Sequence, residues 1–198
     1  MSTSPPFSDY TDVNGMTESI EELCRGARAG DFSAASELVA ATYQPIYAYL
    51  RRLCGHDETA ADLTQQTFAS VWRSLQNFDG RASFMTWLHR IAHNVYVDWR
   101  RKGNRLDAQS DDWWETCAVD QPSPFDRTAE RDAAHLLYAA VEQLEEAQRV
   151  TVHLHYYQGL TLQETADALN IATSTVKYRL RNALDSLKAR MAEPKLRV

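Results

Sequence analysis

Hydroxyl and basic side chains cluster near the C-terminal end of the chain, where they could donate hydrogen bonds and neutralise anions. The group comprises Thr173, Ser174, Thr175, Lys177, Tyr178 and Arg181. On one helix, the N-terminal turn and outward face would present these groups to a DNA major groove, while exposed backbone N–H groups favour phosphate. Apolar residues at helical spacing, Val176, Leu180, Ala183, Leu184 and Leu187, would form the buried stripe.

A shorter helix is predicted just before this one. The run Thr161-Leu-Gln-Glu164 has the form of a capping box, and the helix that it starts would reach Leu169. Asn170 then suits a turn that needs left-handed backbone geometry, and Thr173 or Ser174 can cap the second helix. The pattern predicts a helix-turn-helix, although spacing alone also fits a basic helical hairpin that packs against a protein.

Two longer helices are predicted in the N-terminal half. One begins near Asp57, as N-cap, and its apolar stripe runs from Leu63 to Leu75. Its opposite face carries the polar residues Asp62, Gln65, Gln66 and Arg73. The other runs from about Ser83 to Arg101; Trp87 and Trp99 fall on its apolar stripe, so we expect both to pack in the core. Further polar groups on or beside this helix are Arg90, His93, Asn94, Arg100, Arg101 and Lys102.

Acidic and basic residues are concentrated in different parts of the chain. The formal net charge is −6, yet residues 107–132 alone contain eight acidic and two basic side chains, whereas residues 173–198 contain seven basic and two acidic ones. The acidic, proline-containing stretch predicts a flexible linker between two small helical domains. We therefore expect a flexible extension over residues 1–17, a domain over 18–104, the linker over 105–128, a helix-turn-helix domain over 129–193 and a tail over 194–198.

Several classes of protein receive little support. No apolar run approaches the roughly 20 residues of a membrane helix, and the N-terminus lacks a signal-peptide pattern, so we expect a cytoplasmic chain without membrane insertion. Cys24, Cys54 and Cys117 lack metal-ligand or disulfide spacing, and His153 and His155 would point to different helix faces. We find no catalytic constellation and expect no enzyme, metal or cofactor.

Two motifs in order carry a family resemblance. Asp62-Leu-Thr-Gln-Gln-Thr-Phe-Ala-Ser-Val-Trp72 and Phe84-Met-Thr-Trp-Leu-His-Arg-Ile-Ala-His-Asn94 resemble region 2 of extracytoplasmic-function (ECF) RNA polymerase sigma factors. Tyr156 to Ala166 and Thr175 to Ala183 resemble region 4 of the same family. The resemblance implies an all-α protein with a region 2-like domain and a region 4-like helix-turn-helix domain.

The resemblance also implies partners and roles. Core RNA polymerase would bind Asp62, Gln65, Gln66 and Arg73. The −10 promoter element would be opened and held by Arg90, His93, Asn94, Arg100, Arg101 and Lys102, because unstacked bases need hydrogen bonds and cationic contacts. The −35 element would be read by Thr173, Ser174, Thr175, Lys177, Tyr178 and Arg181. An anti-sigma factor is the expected regulator.

Two questions stay open at this level. The acidic linker, with Trp113 and Trp114, could thread the polymerase's RNA path or simply act as a solubilising tether. A stand-alone transcriptional regulator that binds duplex DNA without polymerase is the alternative function, and specific DNA binding by the chain alone would distinguish it.

Overall fold

The computed structural model describes residues 10–103 and 136–192, with side chains over residues 19–103 and 136–191. Its helices are α1 (Tyr10–Arg28), α2 (Phe32–Cys54), α3 (Asp57–Ser74), α4 (Phe84–Arg101), α5 (described over residues 136–142), α6 (Glu146–Val152), α7 (Leu162–Leu169) and α8 (Thr173–Ala192). A 3-10 turn, Leu75–Asn77, follows α3, and a π-helical turn, His153–Tyr157, follows α6. These described residues contain no strand, so the predicted all-α class is confirmed.

Some predicted features lie outside the described residues. They are the first nine residues, the acidic linker at 105–128 with Trp113, Trp114 and Cys117, and the tail at 194–198. α1 begins at Tyr10, whereas the sequence predicts a flexible extension as far as residue 17. Once a first turn exists, each added residue gains a backbone hydrogen bond, so a helix can extend through residues without apolar periodicity.

The helix ends follow local chemistry. Asp31 caps α2 by accepting hydrogen bonds from the backbone N–H groups of Ser33 and Ala34 at 2.8 and 3.3 Å. α2 ends at Gly55, whose φ of 81° is readily adopted only by glycine. The sequence predicts Asp57 as the N-cap of α3, but Asp57 is the first residue of the helix. Its carboxylate accepts hydrogen bonds from Arg51 and Tyr47 instead of capping the backbone.

The N-terminal core is formed where α1 to α4 meet. Fully or almost fully buried side chains from α2, α3 and α4 include Tyr49, Leu63, Phe84 and Tyr96. Trp87 and Trp99 are partly buried against this core, which confirms the prediction that both pack rather than project. The indole of Trp87 contacts the Phe78 ring at a centroid distance of 5.0 Å.

The C-terminal half has a core of its own and also packs on the N-terminal half. The separate core of the C-terminal half includes Val141, Val152, Ala166, Val176 and Leu180. Other buried residues of the C-terminal half extend the N-terminal core; they are Val150, Leu154, Leu160 and Ala168. α7 packs directly on α4, so the two halves form one body within the described residues.

Candidate nucleic-acid interface

The capping box that the sequence predicts orients the first helix of the helix-turn-helix. The backbone N–H of Thr161 donates to Glu164 Oε2 at 2.9 Å, and the backbone N–H of Glu164 donates to Thr161 Oγ1 at 3.2 Å. Asn170 ends α7 with a φ of 52°, as predicted for the turn. Both features confirm the local geometry of a helix-turn-helix.

α8 presents most of its predicted contact residues to solvent. Ser174, Lys177, Tyr178 and Arg181 are exposed, and the Tyr178 side chain is 66% exposed. They share a surface opposite the buried Val176. An exposed aromatic ring with neighbouring cations and a hydroxyl can contact base edges and phosphates in a major groove.

Two predicted members of this group are less exposed. Thr173 and Thr175 are half-buried, and the Thr173 hydroxyl donates to Gln163 Oε1 at 2.9 Å. That bond links the start of α8 to α7. Thr173 therefore has a role in fixing the angle between the two helices, beside the DNA contact that the sequence predicts for it.

The residues predicted to contact the −10 element lie along α4 and just after it, but they differ in how exposed they are. Arg90, Asn94, Arg101 and Lys102 are exposed. Arg101 forms an ion pair with Asp98 one turn earlier, and Asp98 thereby offsets part of the local positive charge. The exposed members give α4 a cationic, hydrogen-bonding surface toward its C-terminal end.

His93 is half-buried and bonded to the core. Its Nδ1 lies 3.3 Å from the hydroxyl of Tyr49, and burial lowers the pKa of His93 to about 4, with Glu146 opposing and Arg179 adding to the shift. Burial raises the pKa of the Tyr49 hydroxyl well above its usual value, so Tyr49 stays protonated. The imidazole is therefore neutral near pH 7 and shares a hydrogen bond with the Tyr49 hydroxyl.

Arg100 forms an ion pair with Glu146 of the C-terminal half. Its guanidinium lies 2.9 Å from a Glu146 carboxylate oxygen, and the other oxygen of Glu146 accepts a bond from the Tyr96 hydroxyl at 3.0 Å. Burial, followed by the nearby Glu146 charge, raises the pKa of Tyr96 to about 12. The sequence gives no sign of this contact, because Glu146 is distant from α4 along the chain.

A polar groove of about 480 Å³ lies between the start of α4 and the helix-turn-helix. Arg81 and Arg90 line one side, and Asp167 and Asn170 line the other. Arg81, which lies in the loop before α4, was not among the residues predicted from the sequence. The turn-forming sequence Asp79-Gly-Arg81 could have indicated that Arg81 is an exposed cation, and Gly80 does adopt a φ of 69° there.

A second groove, of about 520 Å³, lies between α2 and α3. Asp62 and Gln65 line it with Val39, Tyr43 and Trp72. Trp72 lies within the apolar stripe from Leu63 to Leu75 that the sequence predicts as buried, yet the side chains of Tyr43 and Trp72 are each 39% exposed. Both therefore contribute to a surface that the sequence did not predict. Gln66 and Arg73 are exposed on the same helix, and Arg73 donates to Ser70 Oγ at 2.9 Å.

The remaining candidates for chemistry have other contacts. His153 is buried with Glu142 Oε1 3.6 Å from its Nε2, and His155 Nδ1 lies 2.7 Å from the Leu160 carbonyl oxygen. Burial raises the pKa of the Cys24 and Cys54 thiols. In the part of the chain that the structure describes, no cluster of three potential metal ligands is present, and none of its helices has the length and hydropathy to cross a bilayer.

Comparisons with known proteins agree with this architecture. The family models for Sigma-70 region 2 and Sigma-70, region 4 match residues 38–106 and 134–187. "ECF RNA polymerase sigma factor SigX" of Bacillus subtilis is 32% identical over 153 residues, which cover 75% of this chain and 79% of the relative. "RNA polymerase sigma factor YlaC" of the same organism is 30% identical over 155 residues, or 76% and 88% of the two chains.

Solved structures share the fold. CnrH, in its complex with the cytosolic domain of CnrY, has a TM-score of 0.66 at 22% identity, covering 89% of this chain and 99% of that one. RpoE from Bartonella quintana, in complex with the anti-sigma factor NepR, has a TM-score of 0.61 at 19% identity, covering 81% and 98%. Both regions are matched in order and the relatives are covered over most of their length, so the chain belongs to the ECF RNA polymerase sigma factors.

Proposed function

We propose that three separate faces of this sigma factor bind core polymerase, open the −10 element and read the −35 element. The chain directs promoter-specific initiation, as its family does. The observation that carries the division of labour is the separation of polar, exposed groups onto three helices, α3, α4 and α8. Each helix keeps an opposite, buried face for the core.

Polymerase binding is assigned to α3. The predicted residues Asp62, Gln65, Gln66 and Arg73 are all exposed there. The groove beside Asp62 and Gln65 adds partly exposed aromatic rings from Tyr43 and Trp72. Protein interfaces favour aromatic side chains at their centre, which lose water when the partner binds, and polar groups around the rim.

The −10 element is assigned to α4. Arg90 and Asn94 project from its middle, and Arg100, Arg101 and Lys102 supply positive charge at its end. Cations would hold the phosphates of an opened strand, while the Asn94 amide can pair with a base edge. We assign His93 a positioning role as well, because its hydrogen bond to Tyr49 fixes it against the core.

The −35 element is assigned to α8. Ser174, Lys177, Tyr178 and Arg181 occupy the exposed surface of its first turns, which is where a recognition helix meets the base edges. The capping box of α7 and the bond from Thr173 to Gln163 hold this helix at a fixed angle.

Regulation and location follow from the same assignment. Two of the structural relatives are seen with protein partners, CnrH with the cytosolic domain of CnrY and RpoE with the anti-sigma factor NepR. We extend an anti-sigma partner to this chain. We also propose that it acts in the cytoplasm, where core polymerase and promoter DNA are found, and that it has no catalytic activity or cofactor of its own.

Transcription with purified bacterial core polymerase tests the function. The templates are a library of upstream regions from the host, with and without the protein. Promoter-specific transcripts that appear only with the protein are expected. If the chain does not bind core polymerase and instead shifts specific duplex DNA alone, it is a stand-alone regulator.

A further inference from the structure

Three aromatic side chains form a stacked cluster between α2 and α3, beside the groove assigned to core polymerase. The ring centroids of Tyr43 and Tyr47 lie 6.1 Å apart, with 10° between the ring planes. The same Tyr43 ring lies 6.1 Å from the Phe68 ring, with 13° between the planes. Tyr43 and Tyr47 belong to α2 and Phe68 to α3, so this aromatic cluster links the two helices that border the groove.

The members of the aromatic cluster differ in how they meet the groove. Tyr43 and Phe68 line it, and Tyr43 is the more exposed of the two. Tyr47 is half-buried and lies one helical turn further along α2. Side chains four residues apart are neighbours on one helix face, which is why the two tyrosine rings can stack. Tyr47 therefore reaches the groove through its contact with the Tyr43 ring.

The Tyr47 hydroxyl is anchored to a charged group at the start of α3. It donates to a carboxylate oxygen of Asp57 at 2.7 Å, and the Nε of the buried Arg51 donates to the same oxygen at 2.7 Å. Hydrogen bonds from Arg51 and then Tyr47 lower the pKa of Asp57, so its carboxylate is charged at neutral pH. Burial, followed by the bond to Asp57, raises the pKa of Tyr47 to about 12, so the hydroxyl stays a donor.

A proline weakens α2 between the two tyrosines. Pro45 lies inside the helix and has no N–H group with which to bond to the carbonyl of Ala41. The bond from Tyr47 to Asp57 attaches the part of α2 after Pro45 to α3. Without that attachment, the stacking of Tyr47 on Tyr43 would depend on a stretch of helix that has lost a backbone hydrogen bond.

We propose that Tyr47 and Asp57 are positioning residues for core-polymerase binding, because their hydrogen bond holds the Tyr43 ring in the orientation that the groove presents to its partner. This inference rests on the assignment of the groove between α2 and α3 to core polymerase. A side chain that is already oriented loses less conformational freedom when a partner covers it, so a fixed Tyr43 ring increases affinity.

The test is a titration of labelled core polymerase with the full-length chain, with the free energy of unfolding measured in parallel for each variant. Tyr47→Phe keeps the ring and removes the hydroxyl that donates to Asp57. We expect its affinity for core polymerase to fall about two- to tenfold, which is the range for one aromatic contact.

Ser33→Ala is the matched control on the same helix. The Ser33 hydroxyl also donates to a carboxylate, that of Glu37 at 3.1 Å, but at the start of α2 and outside the groove. Ser33→Ala should keep the wild-type affinity. If Tyr47→Phe binds core polymerase as tightly as this control, the positioning role is overturned.

The Tyr43→Leu background shows whether Tyr47 acts through the Tyr43 ring. In that background we expect Tyr47→Phe to cause no further loss of affinity, although it should still lower the free energy of unfolding. Residues that act through one another are non-additive in this way. An equal further loss of affinity in both backgrounds would mean that the Tyr47 hydroxyl does not act through Tyr43, and it would overturn the inference.

Tyr43→Leu by itself separates this inference from the function on which it rests. If Tyr43→Leu weakens binding while Tyr47→Phe keeps the wild-type affinity, the positioning role is overturned and the groove still binds polymerase. If stable Tyr43→Leu and Trp72→Ala proteins both retain the wild-type affinity, the assignment of the groove to core polymerase fails, and the inference fails with it.

Discussion

The guanidinium Nε of Arg51 donates to a carboxylate oxygen of Asp57 at 2.7 Å, across the turn between α2 and α3. The Arg51 side chain is 4% exposed and the Asp57 side chain 59% exposed. The Tyr47 hydroxyl donates to the same Asp57 oxygen at 2.7 Å. Asp57 thus anchors a buried cation, and it fixes the entry of the helix that carries the polymerase-binding candidates.

Replacing Asp57 with Asn should destabilise the protein. The variant weakens a charge-assisted bond to a buried guanidinium, for which we expect a loss of about 1–3 kcal/mol in the free energy of unfolding. Glu58→Gln is the control, since it removes an exposed acid from the same helical turn. Arg51 lowers the Asp57 pKa, so the difference should persist at neutral pH and disappear as acid protonates Asp57. Equal unfolding free energies for the two variants would contradict the assignment.

Removing the capping hydroxyl of α7 should weaken the helix-turn-helix. Thr161→Ala leaves the Glu164 backbone N–H without its side-chain acceptor, at a cost of about 0.5–2 kcal/mol in unfolding free energy. Thr161→Ser keeps the hydroxyl and should retain most of the stability. Denaturant unfolding of the three proteins measures this, and similar losses for Ala and Ser would show that the cap is not the cause.

Arg181→Ala should reduce discrimination at the −35 element. An exposed guanidinium on the first turns of α8 can make a base contact of about 1–3 kcal/mol. Lys188→Ala removes the same charge two turns further along the helix and is the control. The measurement is holoenzyme affinity for promoters with an intact or a scrambled −35 element. Unchanged discrimination by Arg181→Ala would remove this residue from the interface.

Trp72→Ala should weaken core-polymerase binding about tenfold, because a partly exposed Trp in a groove can dominate a protein interface. Phe32→Ala is the control, since Phe32 is an aromatic residue that is 84% exposed but lies outside that groove. Titration of labelled core polymerase gives both affinities, with unfolding free energies measured in parallel. A stable Trp72→Ala protein with wild-type affinity would contradict the assignment of this groove.

Stability should fall as the pH is lowered from 6.5 toward 4. Burial lowers the pKa of His93 from its ordinary 6.5 to about 4, so the unfolded chain takes up a proton in this range before the folded one does. Keeping His93 neutral stabilises the folded state by up to about 3 kcal/mol in the free energy of unfolding. This stabilisation is fully present above pH 6.5 and is lost as the pH falls toward 4. His89 and His153, whose pKa values are also lowered by burial, add to the effect.

The comparison of His93→Gln with the wild-type chain isolates this contribution. Tyr49, Glu146 and Arg179 are the titratable or charged groups that act on His93, and all three are retained in the variant. Free energies of unfolding at pH 7 and pH 5 should differ less for His93→Gln than for the wild type. An identical pH dependence would mean that His93 is not the neutral, buried group described above.

Local sequence signals predicted much of the fold. The capping box at Thr161, the left-handed Asn170 and the packed Trp87 all depend on neighbours within a few residues or on helical periodicity. The same periodicity predicted most of the exposed surface of α8, but it was wrong for Leu184, which was expected in the buried stripe and is 39% exposed. Such features can be inferred because one helix specifies them almost alone.

Contacts between distant segments could not be inferred. Asp57 was expected to cap α3, but Arg51 and Tyr47 bind its carboxylate. His93 was expected as a DNA contact, and its bond to Tyr49 depends on how α2 crosses α4. The Glu146 contact likewise requires two domains to pack, which no periodicity reports. In each case tertiary neighbours decided which polar groups remained available.

Mapping of strand opening by permanganate reactivity tests the separation of the DNA-binding faces most directly. Holoenzymes carrying Asn94→Ala or Arg181→Ala are compared with the wild type on one promoter, with upstream footprints recorded in parallel. We expect Asn94→Ala to keep the −35 footprint and lose −10 reactivity, whereas Arg181→Ala should weaken the −35 footprint itself. Loss of the same step by both variants, with core binding intact, would contradict the assignment of separate elements to α4 and α8.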